Sequence, residues 1–270
     1  MSGSWRVPVL TYHAIGEGPV PLFTPARVFE SHLAALSRAG FRTMPLAELA
    51  ASLAAGKSAP APAPAMDRSL VLTFDDGYRS FAEEAWPRLR ARGFGATVFL
   101  VSGRCGMDNL WPTQKPGVPR SPLMSWDQAA AIAAEGVELG AHGRTHAPLP
   151  LLSDGEIEDE VAGSRADIES RTGQRVRLFA YPYGASTTGA RAIVRRHFEG
   201  AVSVRLGLAG RSSDPFLIPR IDSHYVCPRA VAWLRRDAFR AYLAGRQALR
   251  DVRRRVTTDW SAPEAAHNRE

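Results

Sequence analysis

Ser69-Leu70-Val71-Leu72-Thr73-Phe74-Asp75-Asp76-Gly77 decides how the rest of the chain is read. A run of strand-forming character ends abruptly in two acidic side chains and a glycine, the composition of a buried strand entering a turn. The same event recurs downstream. Val137-Glu138-Leu139-Gly140-Ala141 enters His142-Gly143-Arg144-Thr145-His146, and Leu178-Phe179-Ala180 enters Tyr181-Pro182-Tyr183-Gly184. The first apolar run, Arg6 to Tyr12, closes on Tyr12-His13.

Helical patterns fill the intervals. Thr24 reads as an N-cap with Pro25 at the first helical position and a stop at Gly40, and a second helix covers Leu46 to Ala55. Another spans Ser80 to Arg92 with an interruption near Pro87; Ser125 caps one that ends before Gly136. Ser153 and Glu156 form a capping box for a helix ending at Gly173, and Thr187 to His197 completes the set. With further strands at Ala96–Val101, Val176–Tyr181, Gly200–Val204 and Phe216–Ile221, strand and helix alternate through about seven strands, which predicts an α/β fold, a distorted (β/α) barrel. Residues 1–228 are expected to form that single domain, with an exposed Ala/Pro-rich loop at 57–67. Gly103 to Pro122, carrying Trp111, is a long loop suited to walling a substrate site.

Composition narrows the class without deciding it. The 270 residues are 45% hydrophobic, enough for a substantial core, and no run approaches the roughly 18 apolar residues of a spanning helix. The start, Met-Ser-Gly-Ser-Trp-Arg, lacks the apolar core of a secretion signal, so a cytoplasmic location is expected. Cys105 and Cys227 have no companions at zinc-finger spacing. The formal charge of +7 rests almost wholly on arginine, Lys57 and Lys115 being the two lysines. Nine arginines between Arg229 and Arg255 are interleaved with Val231, Trp233, Leu234, Phe239, Tyr242 and Leu243. Residues 229–270 are therefore expected to form an amphipathic basic helix and tail, docked by its apolar stripe, with contact to a membrane surface the lesser reading. No recognition motif accompanies the charge, so nucleic acid is not expected as a partner.

In a parallel barrel the residues that follow the strands gather at one end, where function resides. Two adjacent carboxylates at a buried strand end repel, and that cost needs a cation or hydrogen-bond donors to offset it. His142 and His146, from another strand end, would add two imidazoles; two His and one carboxylate leave positions open for water and substrate. Each piece alone reads as structural: Asp-Asp-Gly as a turn, the His pair as coincidence, Tyr-Pro-Tyr-Gly as a turn. Their joint position after successive strands favours a site.

These motifs resemble the polysaccharide deacetylase family, the NodB-homology carbohydrate esterases. Thr73 to Gly77 matches the family's first motif; His142 and His146 match the second, with Gly143 where Ser or Thr is common; Phe179 to Gly184 is similar to the third. The resemblance implies a divalent metal, foremost Zn2+ with Co2+, Ni2+ or Mn2+ as alternatives, held by Asp76, His142 and His146. It implies Asp75 as the general base, the Tyr183 backbone N–H as an oxyanion donor, and an N-acetylated glycan as substrate. Ala180 stands where the third motif has an Arg that positions the base, so that pairing is expected to be missing. The form Phe-Ala-Tyr-Pro-Tyr-Gly, with Tyr12-His13-Ala14-Ile15, is similar to the subgroup acting on poly-N-acetylglucosamine. His224, after Leu217 to Ile221, is the candidate general acid, and His13, Trp111, Trp126, Tyr181, Pro182 and Tyr183 are candidate substrate contacts. Competing readings are an amidase or imide hydrolase acting on a small molecule, and a catalytically inactive glycan-binding protein.

Overall fold

A computed structural model describes residues 5–256, apart from 57–65, 67, 115, 227–230, 232–233 and 235–236. The Ala/Pro-rich segment, Met66 excepted, Lys115, Cys227, Arg229, Trp233 and the tail from 257 lie outside the described residues. Seven strands form the framework: β1 (Val9–Tyr12), β2 (Ser69–Phe74), β3 (Thr97–Leu100), β4 (Glu138–Ala141), β5 (Leu178–Ala180), β6 (Gly200–Leu206) and β7 (Ile218–Asp222). All pair in parallel, in the order β1-β7-β6-β5-β4-β3-β2, and β1 pairs again with β2 to close the barrel. Around them lie α1 (Ala26–Arg38), α2 (Leu46–Ala54), α3 (Trp86–Arg90), α4 (Trp126–Ala134), α5 (Asp154–Glu158), α6 (Ser164–Thr172), α7 (Thr188–His197) and α8 (Asp237–Val256).

The period of two along each strand sorts its side chains between two cores. Leu10, Tyr12, Leu70, Leu72, Phe74, Val98, Leu100, Leu139, Phe179 and Ile221 pack against helix residues such as Phe29, Leu33, Ile132, Ile168 and Val194. Their neighbours Val9, Val71, Phe99, Leu178, Ala180, Val202 and Ile218 make a second cluster with Leu46, Leu49, Ala50 and Leu53, so they fill the lumen and α2 plugs its N-terminal end. The Glu138 carboxylate accepts the Leu46 and Ala47 N–H groups at 3.0 and 3.3 Å, which caps α2 from the start of β4.

Two expectations about helices need correction. Thr24 belongs to a short strand paired with Ala14–Ile15, and Pro25 occupies the N-cap without a side-chain cap bond. The helices expected at 80–92 and 153–173 each contain a π-helical turn, at Phe81–Ala85 and Asp159–Gly163. In the first, Pro87 removes the N–H that would bond to Glu83, so the preceding turn widens.

Candidate active site

Lumen parity carries past the strand ends. Val71, Thr73 and Asp75 share one face, as do Val9, Thr11 and His13, and Gly140 and His142. The last ladder bonds, Asp75 N–H to the Tyr12 carbonyl at 3.0 Å and His142 N–H to the Leu100 carbonyl at 2.9 Å, fix where these faces end. Beyond them the backbone turns left-handed at Asp76 (φ 70°), His146 (φ 62°) and Tyr183 (φ 60°), one residue in each of the three motifs. Such conformations cost on the order of 1–3 kcal/mol each in a residue with a Cβ and gather where function overrides comfort.

Asp76, His142 and His146 are all buried, and one potential ligand atom of each lies within 4.8 Å of the others. Nε2 of His142 and Nε2 of His146 each stand 3.4 Å from Asp76 Oδ1. Ligands about 2.0–2.2 Å from a tetrahedral cation sit about 3.3–3.6 Å apart, so the spacing fits. The tautomer argues the same way. His142 Nδ1 lies 2.7 Å from the Ala180 carbonyl, which can only accept, so Nδ1 carries the proton and the Nε2 lone pair of a neutral ring faces a carboxylate. Two acceptors face each other there unless a proton or a cation lies between them. Burial pushes the Asp76 carboxyl up, but the hydrogen bonds with His142 and His146 outweigh it and hold it well below the ordinary value. Burial also lowers His146, whereas for His142 the interaction with Asp76 as hydrogen-bond partner, then the Asp75 and Asp76 charges, overcome desolvation and raise it. The Tyr78 phenol, bonded to Asn109 at 3.2 Å, adds a further hydrogen-bond partner for Asp76.

Asp75 stands apart from this cluster but acts on it electrostatically. Contrary to the expectation set by Ala180, its carboxylate has a guanidinium partner. Arg220 of β7 reaches it with Nη1 on Oδ1 and Nη2 on Oδ2, both at 2.7 Å, and both residues are buried. Burial pushes the Asp75 carboxyl up; the charge and hydrogen bonds of Arg220, with smaller help from His142 and His13, more than reverse it and hold it below its ordinary value. His13 Nε2 lies 3.9 Å from Asp75 Oδ2, and its buried Nδ1 has no hydrogen-bond partner.

The remaining candidates divide. The Trp111 ring packs on His146 at 4.2 Å and is 4% exposed, so its face is spent on the imidazole and does not form an open wall. Tyr183 packs edge-on with the same imidazole at 4.5 Å, and its hydroxyl is 2.7 Å from the Thr113 hydroxyl, so the 103–122 loop and the third motif both pack on His146. Pro182 is buried behind Gly143. Tyr181 points outward: its ring packs on Phe179 in the outer core and is 1% exposed, which removes it from substrate contact. Trp126 packs with the Arg171 guanidinium between α4 and α6 rather than against the cluster. His224 bonds through Nδ1 to Asp222 at 2.7 Å and packs tilted on the Tyr225 ring at 3.9 Å. Arg220 was missed because Leu217-Ile218-Pro219-Arg220-Ile221 reads as an apolar run; the shared parity of Ile218 and Arg220 is the signal that could have found it.

A barrel closed at one end, with a carboxylate, two imidazoles and a second, separately held carboxylate at the other, defines a hydrolase-type site. The polysaccharide deacetylase family matches residues 63–198, half of the chain, and the chain belongs to that family. It is 24% identical over 217 residues to YxkH of Bacillus subtilis (strain 168), spanning 80% of this chain and 71% of the relative. Among solved structures it is similar to the Streptococcus pyogenes deacetylase PplD in complex with acetate, with TM-score 0.69 and 20% identity over 86% of this chain and 97% of the other. IcaB from Ammonifex degensii is likewise similar, with TM-score 0.67 and 23% identity over 86% and 97% of the two chains.

Proposed function

We propose that this protein is a divalent-cation-dependent hydrolase that removes N-acetyl groups from amino sugars of a glycan, with poly-N-acetylglucosamine as the substrate class and acetate as a product. The observation that carries this reading is the buried Asp76/His142/His146 cluster with Asp75 beside it, its carboxylate committed to Arg220 and not to the cluster. A divalent cation held by the three residues, zinc foremost, would lower the pKa of a water to about 7 and polarise the acetamide carbonyl.

The chain's own groups supply the rest. Asp75, ionised well into the acid range, takes the proton of the attacking water. The Tyr183 backbone N–H, in the left-handed turn of the third motif, donates to the oxyanion that forms on the amide oxygen. The leaving nitrogen needs a proton before the tetrahedral intermediate collapses to acetate and free amine. Of the two histidines that could give it, His13 has the described contact with the base, Nε2 lying 3.9 Å from Asp75 Oδ2, while Asp222 takes Nδ1 of His224 and leaves its Nε2.

The test is acetate release from N-acetylglucosamine oligomers with added zinc or cobalt. Asp75→Ala should lower kcat about 10²–10⁴-fold while zinc binding persists, and full activity in that variant would defeat the mechanism. His13→Ala should lose more activity than His224→Ala; the reverse order would return the acid role to His224.

A further inference from the structure

The geometry points to Tyr78 as a positioning residue for the cluster: its phenol, oriented by Asn109 of the 103–122 loop, donates to Asp76 and holds that carboxylate toward His142 and His146. The proposal deepens the cation-dependent reading and rests on Asp76 serving as a ligand there.

The direction of each hydrogen bond follows from what surrounds Asn109, which is fully buried. Its Oδ1 accepts the Ser121 N–H at 2.8 Å, and its Nδ2 donates to the Pro119 carbonyl at 3.1 Å. A backbone N–H can only donate and a carbonyl can only accept, so the amide has one orientation. The second hydrogen of Nδ2 goes to the Tyr78 phenol oxygen at 3.2 Å; that oxygen accepts, and its own proton is free for another partner. The partner is Asp76, whose ionised carboxylate can only accept. Phenol and imidazoles thus converge on one carboxylate, with His142 Nε2 and His146 Nε2 each 3.4 Å from its Oδ1.

Packing alone does not explain the hydroxyl. The Tyr78 ring is buried among Phe23, Val101, Trp111 and Leu123, where a phenylalanine would fill the same place without desolvating a polar group. Closing the loop does not require it either. Asn109 N–H bonds the Ser121 carbonyl at 3.1 Å, Gln114 Nε2 the Asn109 carbonyl at 2.9 Å, and Met124 N–H the Gly77 carbonyl at 2.9 Å, all without the phenol. What the phenol adds is a link from the loop to the cluster. The same loop packs Trp111 on His146 at 4.2 Å, so it bears on two of the three residues that would hold the cation. Hydrogen bonds behind a ligating group fix its orientation, and losing one costs about 10–100-fold in metal affinity.

The experiment measures zinc affinity by chelator competition, without substrate, in wild type, Tyr78→Phe, Asn109→Leu and the double variant, and compares their crystal structures. Tyr78→Phe keeps the ring and should bind zinc about 10-fold more weakly. Asn109→Leu removes the donor that orients the phenol and should lose less. In the double variant the loss should equal that of Tyr78→Phe, because Asn109 acts through a hydroxyl that is gone. Wild-type affinity in Tyr78→Phe overturns the proposal. So does a double variant whose loss is the product of the two single losses, since Asn109 would then support the loop independently. Tyr78→Phe carries the test if the Leu variant does not fold. If wild type binds zinc but releases no acetate, the deacetylase reading fails by itself and the affinities still decide this one. If wild type binds no zinc, the cation reading fails, and an Asp76 carboxylate that keeps its wild-type plane in Tyr78→Phe would sink the Tyr78 role as well.

Discussion

At the scale of single residues, the acidic and imidazole groups were legible because each follows an apolar run, and a charged or titratable side chain there has no packing reason to exist. Arg220, Tyr78 and Glu160 were not, because each depends on which face of its own element it occupies. The same distinction governs what a substitution should do. Asp76 Oδ1 faces Nε2 of both imidazoles at 3.4 Å, with the Tyr78 phenol as a further partner, and its backbone is held left-handed, so its place in the fold is strained unless something occupies the centre of the cluster. A ligand that binds only the folded chain stabilises it, by about 2.7 kcal/mol at 100-fold excess over Kd. For a chain of this size that corresponds to roughly 5–10 °C in Tm. Zinc should therefore raise the Tm of wild type by about that much and leave Asp76→Ala unmoved, as followed by thermal denaturation. Equal shifts in both proteins would place the zinc elsewhere.

At the scale of elements, the His142 to His146 turn shows how a loop becomes rigid enough to present ligands. Glu160 of the π-helical turn between α5 and α6 is buried beneath it: Oε2 accepts the Arg144 and Thr145 N–H groups at 2.8 and 3.0 Å, and Oε1 the Thr145 hydroxyl at 2.7 Å. Arg144 runs across the same helix to Asp167 and Asp159, and Asp167 also accepts from Ser102. The loop after β3 is stitched in as well, by Ser102 N–H to the Gly143 carbonyl and Gly103 N–H to the Arg144 carbonyl. A Cβ at Gly103 would stand 2.6 Å from that carbonyl, so glycine is required for the approach. The capping box at Ser153 and the stop at Gly173 predicted where this helix begins and ends. They carry no information on the π-turn between them, which depends on tertiary contacts. Glu160→Ala would strip two buried backbone donors of their acceptor, and zinc affinity should fall about 10–100-fold by chelator competition. Glu160→Gln should retain near-wild-type affinity, since its carbonyl can accept both N–H groups and its amide can donate to the Thr145 hydroxyl. Equal weakening in the two would point to charge, not hydrogen bonding, as what holds the loop.

At the scale of the whole molecule, the barrel was legible from the alternation of strand and helix, and its two cores from parity; the plug was not. Nothing in Leu46–Ala54 distinguishes a helix that enters the lumen end from one that packs outside, because both need an apolar face. Among the described residues no helix is long and apolar enough to cross a membrane. α8 buries Phe239 and Leu243 in the outer core, bonds Gln247 Oε1 to the Leu206 N–H at 2.8 Å, and lays Arg246 and Arg250 over the Tyr225 ring. Tyr242, Leu249 and Val252 stay exposed, so only part of the apolar pattern docks. Stability and catalysis should separate along this helix. Phe239→Ala removes a buried ring from the outer core, at a cost of about 3 kcal/mol or more. Its Tm should fall by about 6–12 °C. Tyr242→Ala and Leu249→Ala lie on the solvent face and should stay within about 0.5 kcal/mol of wild type. All three should bind zinc as wild type does, because no described contact joins α8 to the ligand cluster. An unaltered melt in Phe239→Ala would mean that the helix rests on the barrel without stabilising it, and weakened zinc binding would show that the two are coupled.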